Sequence, residues 1–247
     1  MPGASTVRAT GSNGIPRRCP ERLPPLGGLP HNIPRMAPVH VGTSGFAYPG
    51  WRPGFYPAKL PQKAFLAHYA SRLSAVEVDA TFYRMPKPAT LEGWRQTTPE
   101  DFRFALKAPR TITHRQQLAL PSDALDYWTS LLPRLESRLG MVLYQLPPYL
   151  RRNDGRLDTF LGSLPQGVPV AFEFRHDSWF VPEVFEILRA HAAALCIHDA
   201  DSGTSALELT APRTYLRLRR SEYGPTERRE WQRRIGEWAE RGIEVRL

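Results

Sequence analysis

Residues 76–86 read Val76-Glu77-Val78-Asp79-Ala80-Thr81-Phe82-Tyr83-Arg84-Met85-Pro86, and residues 172–180 read Phe172-Glu173-Phe174-Arg175-His176-Asp177-Ser178-Trp179-Phe180. Both stretches begin by alternating apolar and charged side chains. Alternation at period two marks a β-strand, because successive side chains leave opposite faces. If the apolar parity packs under covering helices, Glu77 and Asp79 on one strand, and Glu173 and Arg175 on the other, point into an interior.

Working outward, the same parity sends Leu106 out and Lys107 in, Tyr144 out and Gln145 in, and Leu216 and Leu218 out with Arg217 and Arg219 in. Eight strands are predicted: Val39–Thr43, Ala75–Asp79, Phe102–Lys107, Met141–Leu146, Val168–Phe174, Ala194–His198, Thr214–Arg219 and Ile243–Leu247. Helical faces lie between them, marked by Phe65, Leu66, Tyr69 and Leu73, by Leu125, Trp128, Leu132, Leu135 and Leu139, and by Trp231, Ile235 and Trp238. This βαβα rhythm with eight strands predicts an α/β fold, a TIM-type (β/α) barrel. A doubly wound open sheet competes, but VGTSGF after the first strand lacks the G-x-G-x-x-G spacing of dinucleotide-binding turns.

At 247 residues, with 41% hydrophobic and 23% charged residues, one large domain with a sizeable core fits. Residues 1–37 stand apart. They are rich in Pro and Gly, and Arg8, Arg17, Arg18, Arg22 and Arg35 face the single acid Glu21, so a disordered, dispensable tail is expected there, with the barrel over 38–247. The net charge of +9 admits a polyanionic partner. Lysine occurs only at 59, 63, 87 and 107, so arginine dominates in a way that codon bias alone would produce. Cys19 and Cys196 form neither a metal-ligand spacing nor a disulfide framework, and no apolar run approaches the ~20 residues that span a bilayer. A cytoplasmic protein without a membrane partner is the expectation.

Barrel interiors are normally apolar, and an isolated charge inside costs several kcal/mol on the order of the buried-ion penalty. The inward charges must therefore be paired or functional. Most lie near the C-terminal ends of their strands, the face on which such barrels carry their sites. One reading is structural, with ion pairs Glu77–Lys107 and Glu173–Arg217. The other is a site. His114, His176 and His198 follow strands on the same face, whereas His68 and His191 fall on helices. Aromatics cluster in these loops too: Phe46, Tyr48 and Trp51, then Phe82 and Tyr83, then Trp179 and Phe180. They plug the core or stack on a sugar or base ring. Gly42 and Gly45 let the Thr43–Gly45 backbone approach an anion closely.

GTSGFAYPGWRPGFYP, VEVDATFYRMP, FRFALKAPRTITH, LYQLPP and FEFRHDSWF, in this order, closely resemble the landmarks of the YecE-like family, also called domain of unknown function 72. The resemblance covers Val39 to the C-terminus. It implies a prokaryotic barrel of the TIM type with no established substrate or cofactor. Its characteristic positions fall here on Gly42, Thr43, Ser44, Gly45, Tyr48 and Trp51, then on Glu77, Thr81, Phe82, Tyr83, Lys107 and His114. The later motifs add Gln145, Pro147, Glu173, Arg175, His176, Trp179 and Asp199. Members generally continue past the last strand with a closing helix, whereas this sequence stops at Leu247. A barrel missing its last helix, incompletely closed and with an apolar groove that drives dimerisation, is the resulting expectation.

The sequence thus points to an enzyme, of hydrolase or isomerase type, that binds an anionic or carbohydrate-like small molecule. Glu173, His176, Glu77 and Lys107 are its acid/base candidates. Thr43, Ser44, Tyr48, Trp51, Tyr83, His114, Gln145, Arg175, Trp179, Asp199 and Arg217 are expected to bind substrate. Glu77, Glu173, His176, His198 and Asp199 would be the ligands of a metal-assisted variant, but Lys107 and Arg175 compete for those carboxylates, so no metal is assigned. The alternative is a nucleic-acid-binding or repair-associated barrel resembling endonuclease IV, its aromatics stacked on bases and its arginines on phosphates.

Overall fold

The computed structural model describes residues 36–246; the tail expected over 1–37 lies outside them except for Met36 and Ala37. Strands β1 (Val39–His40) and β2 (Gly42–Ser44) are two pieces of one extended stretch. Helix α1 (Phe65–Ala70) leads to β3 (Ala75–Val78), the short α2 (Ala80–Tyr83) and α3 (Pro88–Thr97). Then follow β4 (Arg103–Lys107), α4 (Asp123–Leu131), β5 (Leu139–Gln145), α5 (Asp154–Gly162), β6 (Val170–Glu173) and α6 (Pro182–Ala190). β7 (Ala194–Ala200), β8 (Gly203–Thr204), β9 (Arg213–Leu218), α7 (Pro225–Glu240) and β10 (Glu244–Arg246) complete the order.

The paired strands run β1-β10-β9-β7-β6-β5-β4-β3-β2, all in parallel, with β8 antiparallel to β7 off this path. Because β1 and β2 are halves of one stretch, the path begins and ends on the same backbone. His40 pairs with Arg246 on one side, Gly42 with Ala75 on the other, and the Val41 carbonyl accepts from Ser74 and Ala75 N–H. The pairing path thus returns to its first strand and leaves a nearly closed barrel, with the short β10 reaching only Val39 and His40. Val39 and Val41, on the outer face of that strand, are exposed among the described residues.

Capping fixes where helices start. Ser122 accepts from Leu125 N–H ahead of α4, Asn153 accepts from Arg156 N–H ahead of α5, and Pro182 and Pro225 open α6 and α7. The face expected to run from Leu125 to Leu139 is shorter than its spacing implies. α4 stops at Leu131, Pro133 diverts the chain into a 3-10 segment, Glu136 sits at φ 49°, and Leu139 already belongs to β5.

The parity argument holds around the barrel. Phe104, Leu106, Val142, Tyr144, Val170, Phe172 and Leu195 join the outer apolar layer under the helices. The opposite parity forms a separate inner cluster of Ala105, Met141, Leu143, Ala171, Ala194, Cys196 and Tyr215. One register step toward the C-terminal ends, that inner face turns polar with Lys107, Gln145, Glu173, His198 and Arg217. An apolar waist below a polar rim is what positions the site.

Candidate active site at the C-terminal rim

Arg217 is the hub. Emerging from β9 and almost wholly buried, its guanidinium donates from Nη2 to Glu77 Oε1 at 2.7 Å and from Nη1 to Glu173 Oε2 at 2.6 Å, joining two carboxylates on opposite sides of the barrel. Glu77 also accepts from Ser44 Oγ and from Tyr215 OH, each at 2.7 Å. Burial pushes its pKa up, but Arg217 and the two hydroxyl donors outweigh that and leave it below the ordinary carboxylate range. With its oxygens so occupied, Glu77 is a fixed anion rather than a base. The same burial, with the Glu77 charge, pushes the Tyr215 phenol well up.

Glu173, fully buried at the end of β6, takes a hydrogen bond from Gln145 Nε2 at 3.0 Å and an ion pair from Arg175 in addition to Arg217. Lys107 differs from its neighbours. It is buried at the end of β4 within the field of Glu77, Glu173 and Arg217, yet its ammonium makes no hydrogen bond among the described residues. Its nearest carboxylate is Asp79 Oδ1 at 3.6 Å, and the Phe82 ring lies 4.4 Å away. Burial, with Arg217 adding to it, lowers the Lys107 pKa despite the pull of Asp79 and the two glutamates. The expected Glu77–Lys107 pair is therefore replaced by Glu77–Arg217, while the expected Glu173–Arg217 pair is present.

His114 stands edge-on to Phe82 with Nδ1 2.9 Å from Thr113 Oγ1; burial and the nearby Lys107 and Arg110 lower its pKa. His198 faces inward opposite Arg217, and burial lowers it likewise. Both rings are thereby biased to the neutral form. A cavity of about 440 Å³ opens beside the network, lined by Ser44, Glu77, Tyr215, Arg217 and Arg219 among others.

The structure thus brings Ser44, Glu77, Lys107, Gln145, Glu173, Arg175 and Arg217 together, with His114 at the edge. Tyr48 and Tyr83 stand on the rim as exposed side chains. Five other candidates lie elsewhere. Thr43 faces α1, its Oγ1 2.9 Å from Tyr69 OH. Trp51 packs on Phe55 and Tyr56. Trp179 is buried against Phe174 and donates from its indole N–H to the Leu150 carbonyl at 2.8 Å. Asp199 points outward from β7, accepting from Thr204, Arg220 and the Trp231 indole of α7. His176 caps a 3-10 turn, its Nδ1 accepting from Ser178 N–H at 3.1 Å.

Among the described residues no three His, Cys, Asp or Glu side chains gather as metal ligands; Arg217 stands between Glu77 and Glu173, and Asp199 and His176 turn away. Tyr215 is the network member that sequence reasoning missed. It shares the inward parity of Arg217 two residues on, so alternation alone would have found it.

The family model for "Protein of unknown function DUF72" matches residues 40–247. The chain belongs to the DUF72 family. It is 32% identical over 156 residues to the UPF0759 protein YunF of Bacillus subtilis, covering 60% of this chain and 54% of YunF. It is 32% identical over 144 residues to the UPF0759 protein YecE of Escherichia coli, covering 58% of this chain and 50% of YecE. The chain thus spans about half the length of the curated relatives it matches. A DUF72 family protein of Thermotoga maritima superposes with a TM-score of 0.73 at 27% identity, over 85% of this chain and 91% of that one. Another from Enterococcus faecalis superposes at 0.65 and 18% identity, over 86% and 90%, a likeness of fold. Membership in DUF72 brings no activity with it. No helix among the described residues is long and apolar enough to cross a membrane.

Proposed function

We propose that this DUF72 barrel is an enzyme that takes a small anionic or carbohydrate-like molecule at its C-terminal rim and acts on it by acid/base chemistry. The observation that carries this reading is Lys107. Glu77, Glu173 and Arg217 are joined by short hydrogen bonds, whereas the Lys107 ammonium is desolvated, makes no hydrogen bond among the described residues and has Asp79, 3.6 Å away, as its nearest counter-charge. A buried lysine with lowered basicity is suited to holding a ligand's negative charge or exchanging a proton with it. Glu173 and Arg217 then supply a fixed field, and Arg175 and Gln145 position the ligand from one side. Isomerisation or hydrolysis of a small hydroxylated substrate fits this set of groups.

The test is a panel of small phosphates, sugar acids and neutral sugars, assayed by thermal shift and calorimetry on wild type and on Lys107→Met and Glu173→Gln. The reading expects one ligand class to bind wild type and to lose affinity by at least about tenfold in Lys107→Met, the order expected when a charge-assisted contact is removed. Binding that is indifferent to Lys107 would remove the lysine from the site.

A second reading is favoured by the surface of the rim. Tyr48, Tyr83 and Tyr149 are 44%, 72% and 63% exposed, and Arg84, Arg110, Arg115 and Arg151 are exposed in the same loops. Aromatics interleaved with arginines suit a single-stranded nucleic acid laid across the barrel mouth. Against it, many outer arginines, such as Arg233, Arg234, Arg189 and Arg134, are paired with glutamates. Oligonucleotide binding that falls with rising salt and is lost in Tyr83→Ala, but kept in Lys107→Met, would favour this reading over the first.

A further inference from the structure

The opposite, N-terminal mouth of the barrel carries a second charged layer. His40 from β1, Arg103 from β4, Arg213 from β9 and both Glu244 and Arg246 from β10 share it. Glu244 is the one carboxylate that pairs with any of these cations among the described residues. Its Oε1 accepts from Arg246 Nη2 at 2.7 Å and Nε at 3.2 Å and lies 3.3 Å from His40 Nε2, while Arg213 Nε stands 3.9 Å from Oε2. Among the described residues Arg103 donates only to the backbone carbonyls of Glu100 and Phe102.

Two of the cations are buried. Arg246 is 6% exposed and His40 7%. Arg246 reaches across the lumen to Gly140 at the start of β5. A Cβ on Gly140 would lie 3.1 Å from Arg246 Nη1 and 2.9 Å from Arg103 Cβ, so the glycine makes room for the guanidinium. Arg246 Nη1, Arg213 Nε and His40 Nδ1 are all buried without a hydrogen-bond partner among the described residues. Three arginines facing one carboxylate, with three buried donor-capable nitrogens unmet, is a surplus of positive charge that folding alone does not require. The mutual repulsion is felt: burial first, then Arg213 and Arg103, lower the Arg246 pKa.

We infer that the N-terminal mouth of the barrel is a binding site for a small tetrahedral oxyanion, phosphate or sulfate, held by Arg246, Arg213 and His40. Guanidinium groups match such oxygens in geometry and charge. Arg103 closes the positive side, and Glu244 orients Arg246 rather than neutralising the layer. This site is separate from the C-terminal rim and does not depend on the activity proposed there.

Thermal melts of the full chain in inorganic phosphate, sulfate or chloride at matched ionic strength test it. Wild type should be stabilised by phosphate or sulfate in a saturable way that chloride does not reproduce. Arg213→Gln, whose side chain is about a third exposed, should weaken the apparent affinity by at least about tenfold, and Lys107→Met at the rim should leave it intact. Arg246→Met should abolish it; if that protein does not fold, the Arg213 variant still decides. General salting-out would raise wild type and Arg213→Gln alike, without saturation, and would overturn the inference. So would a saturable shift lost in Lys107→Met and kept in Arg213→Gln, which puts the anion at the rim.

Discussion

Arg217 on β9 and Lys107 on β4 are both inward cations of the same network, yet they are held in opposite ways. Arg217 spends both terminal nitrogens on Glu77 and Glu173, so replacing it by methionine leaves two buried carboxylates without their counter-charge. Arg217→Met is expected to lose about 3–5 kcal/mol of stability, measurable by urea denaturation. At the other mouth, Glu244 is held down to about 2 from an ordinary 4.5: burial acts against this, and His40 and Arg246 outweigh it. A carboxylate depressed on folding contributes stability that is fully present above pH 4.5 and is lost as the pH falls through about 2. Glu244→Gln should therefore flatten the acid limb of a stability-versus-pH curve between those values; an unchanged limb would mean that the His40–Glu244–Arg246 cluster does not form. Parity made Glu77, Lys107, Glu173, Arg175 and Arg217 legible at this scale, because alternation fixes direction without any knowledge of partners. It does not choose partners, so the expected Glu77–Lys107 pair gives way to Glu77–Arg217. His176 lies three residues past the end of β6, where a turn rather than a pleat sets direction, and its Nδ1 closes that turn by accepting from Ser178 N–H.

The strand boundaries read from sequence fall within a residue or two of those observed, since β-branched and aromatic runs flanked by turns define them locally. Three features were not legible. β8 is a two-residue pairing with β7 and has no hydrophobic pattern to announce it. α4 was extended past Pro133 because leucines continue at helical spacing on the 3-10 segment that follows. Closure depends on Val39–Ser44 pairing with β10 and β3 at once, a long-range contact that no local pattern encodes. Gly42 is where that pairing is tightest: a Cβ there would lie 2.0 Å from the Ala75 carbonyl oxygen, a backbone atom of β3 that cannot move aside independently. Gly42→Ala is expected to cost about 1–3 kcal/mol or more, the range of overpacking, and to loosen amide protection along β2 and β3 in hydrogen exchange. Full stability in that variant would mean that the first strand does not close the barrel as described.

Across the whole molecule, the barrel separates its duties by layer. Outer apolar residues hold the helices, an inner cluster from Ala105 to Tyr215 fills the waist, and the charge inside the barrel gathers at its two mouths. At the rim Glu77, Glu173 and Arg217 are hydrogen-bonded together whereas Lys107 is not, and the central claim is that Lys107 is kept for a ligand rather than for the fold. Equilibrium denaturation of Lys107→Met tests this without knowledge of the substrate. A desolvated lysine whose contacts are a 3.6 Å approach to Asp79 and the Phe82 ring, with no hydrogen bond among the described residues, recovers little of its burial cost, and an apolar residue of similar length removes that cost. The account predicts a protein as stable as wild type or about 1–2 kcal/mol more stable, with the Glu77–Arg217–Glu173 network intact. A loss of several kcal/mol, matching that of Arg217→Met, would contradict it and make Lys107 one more structural ion of the barrel.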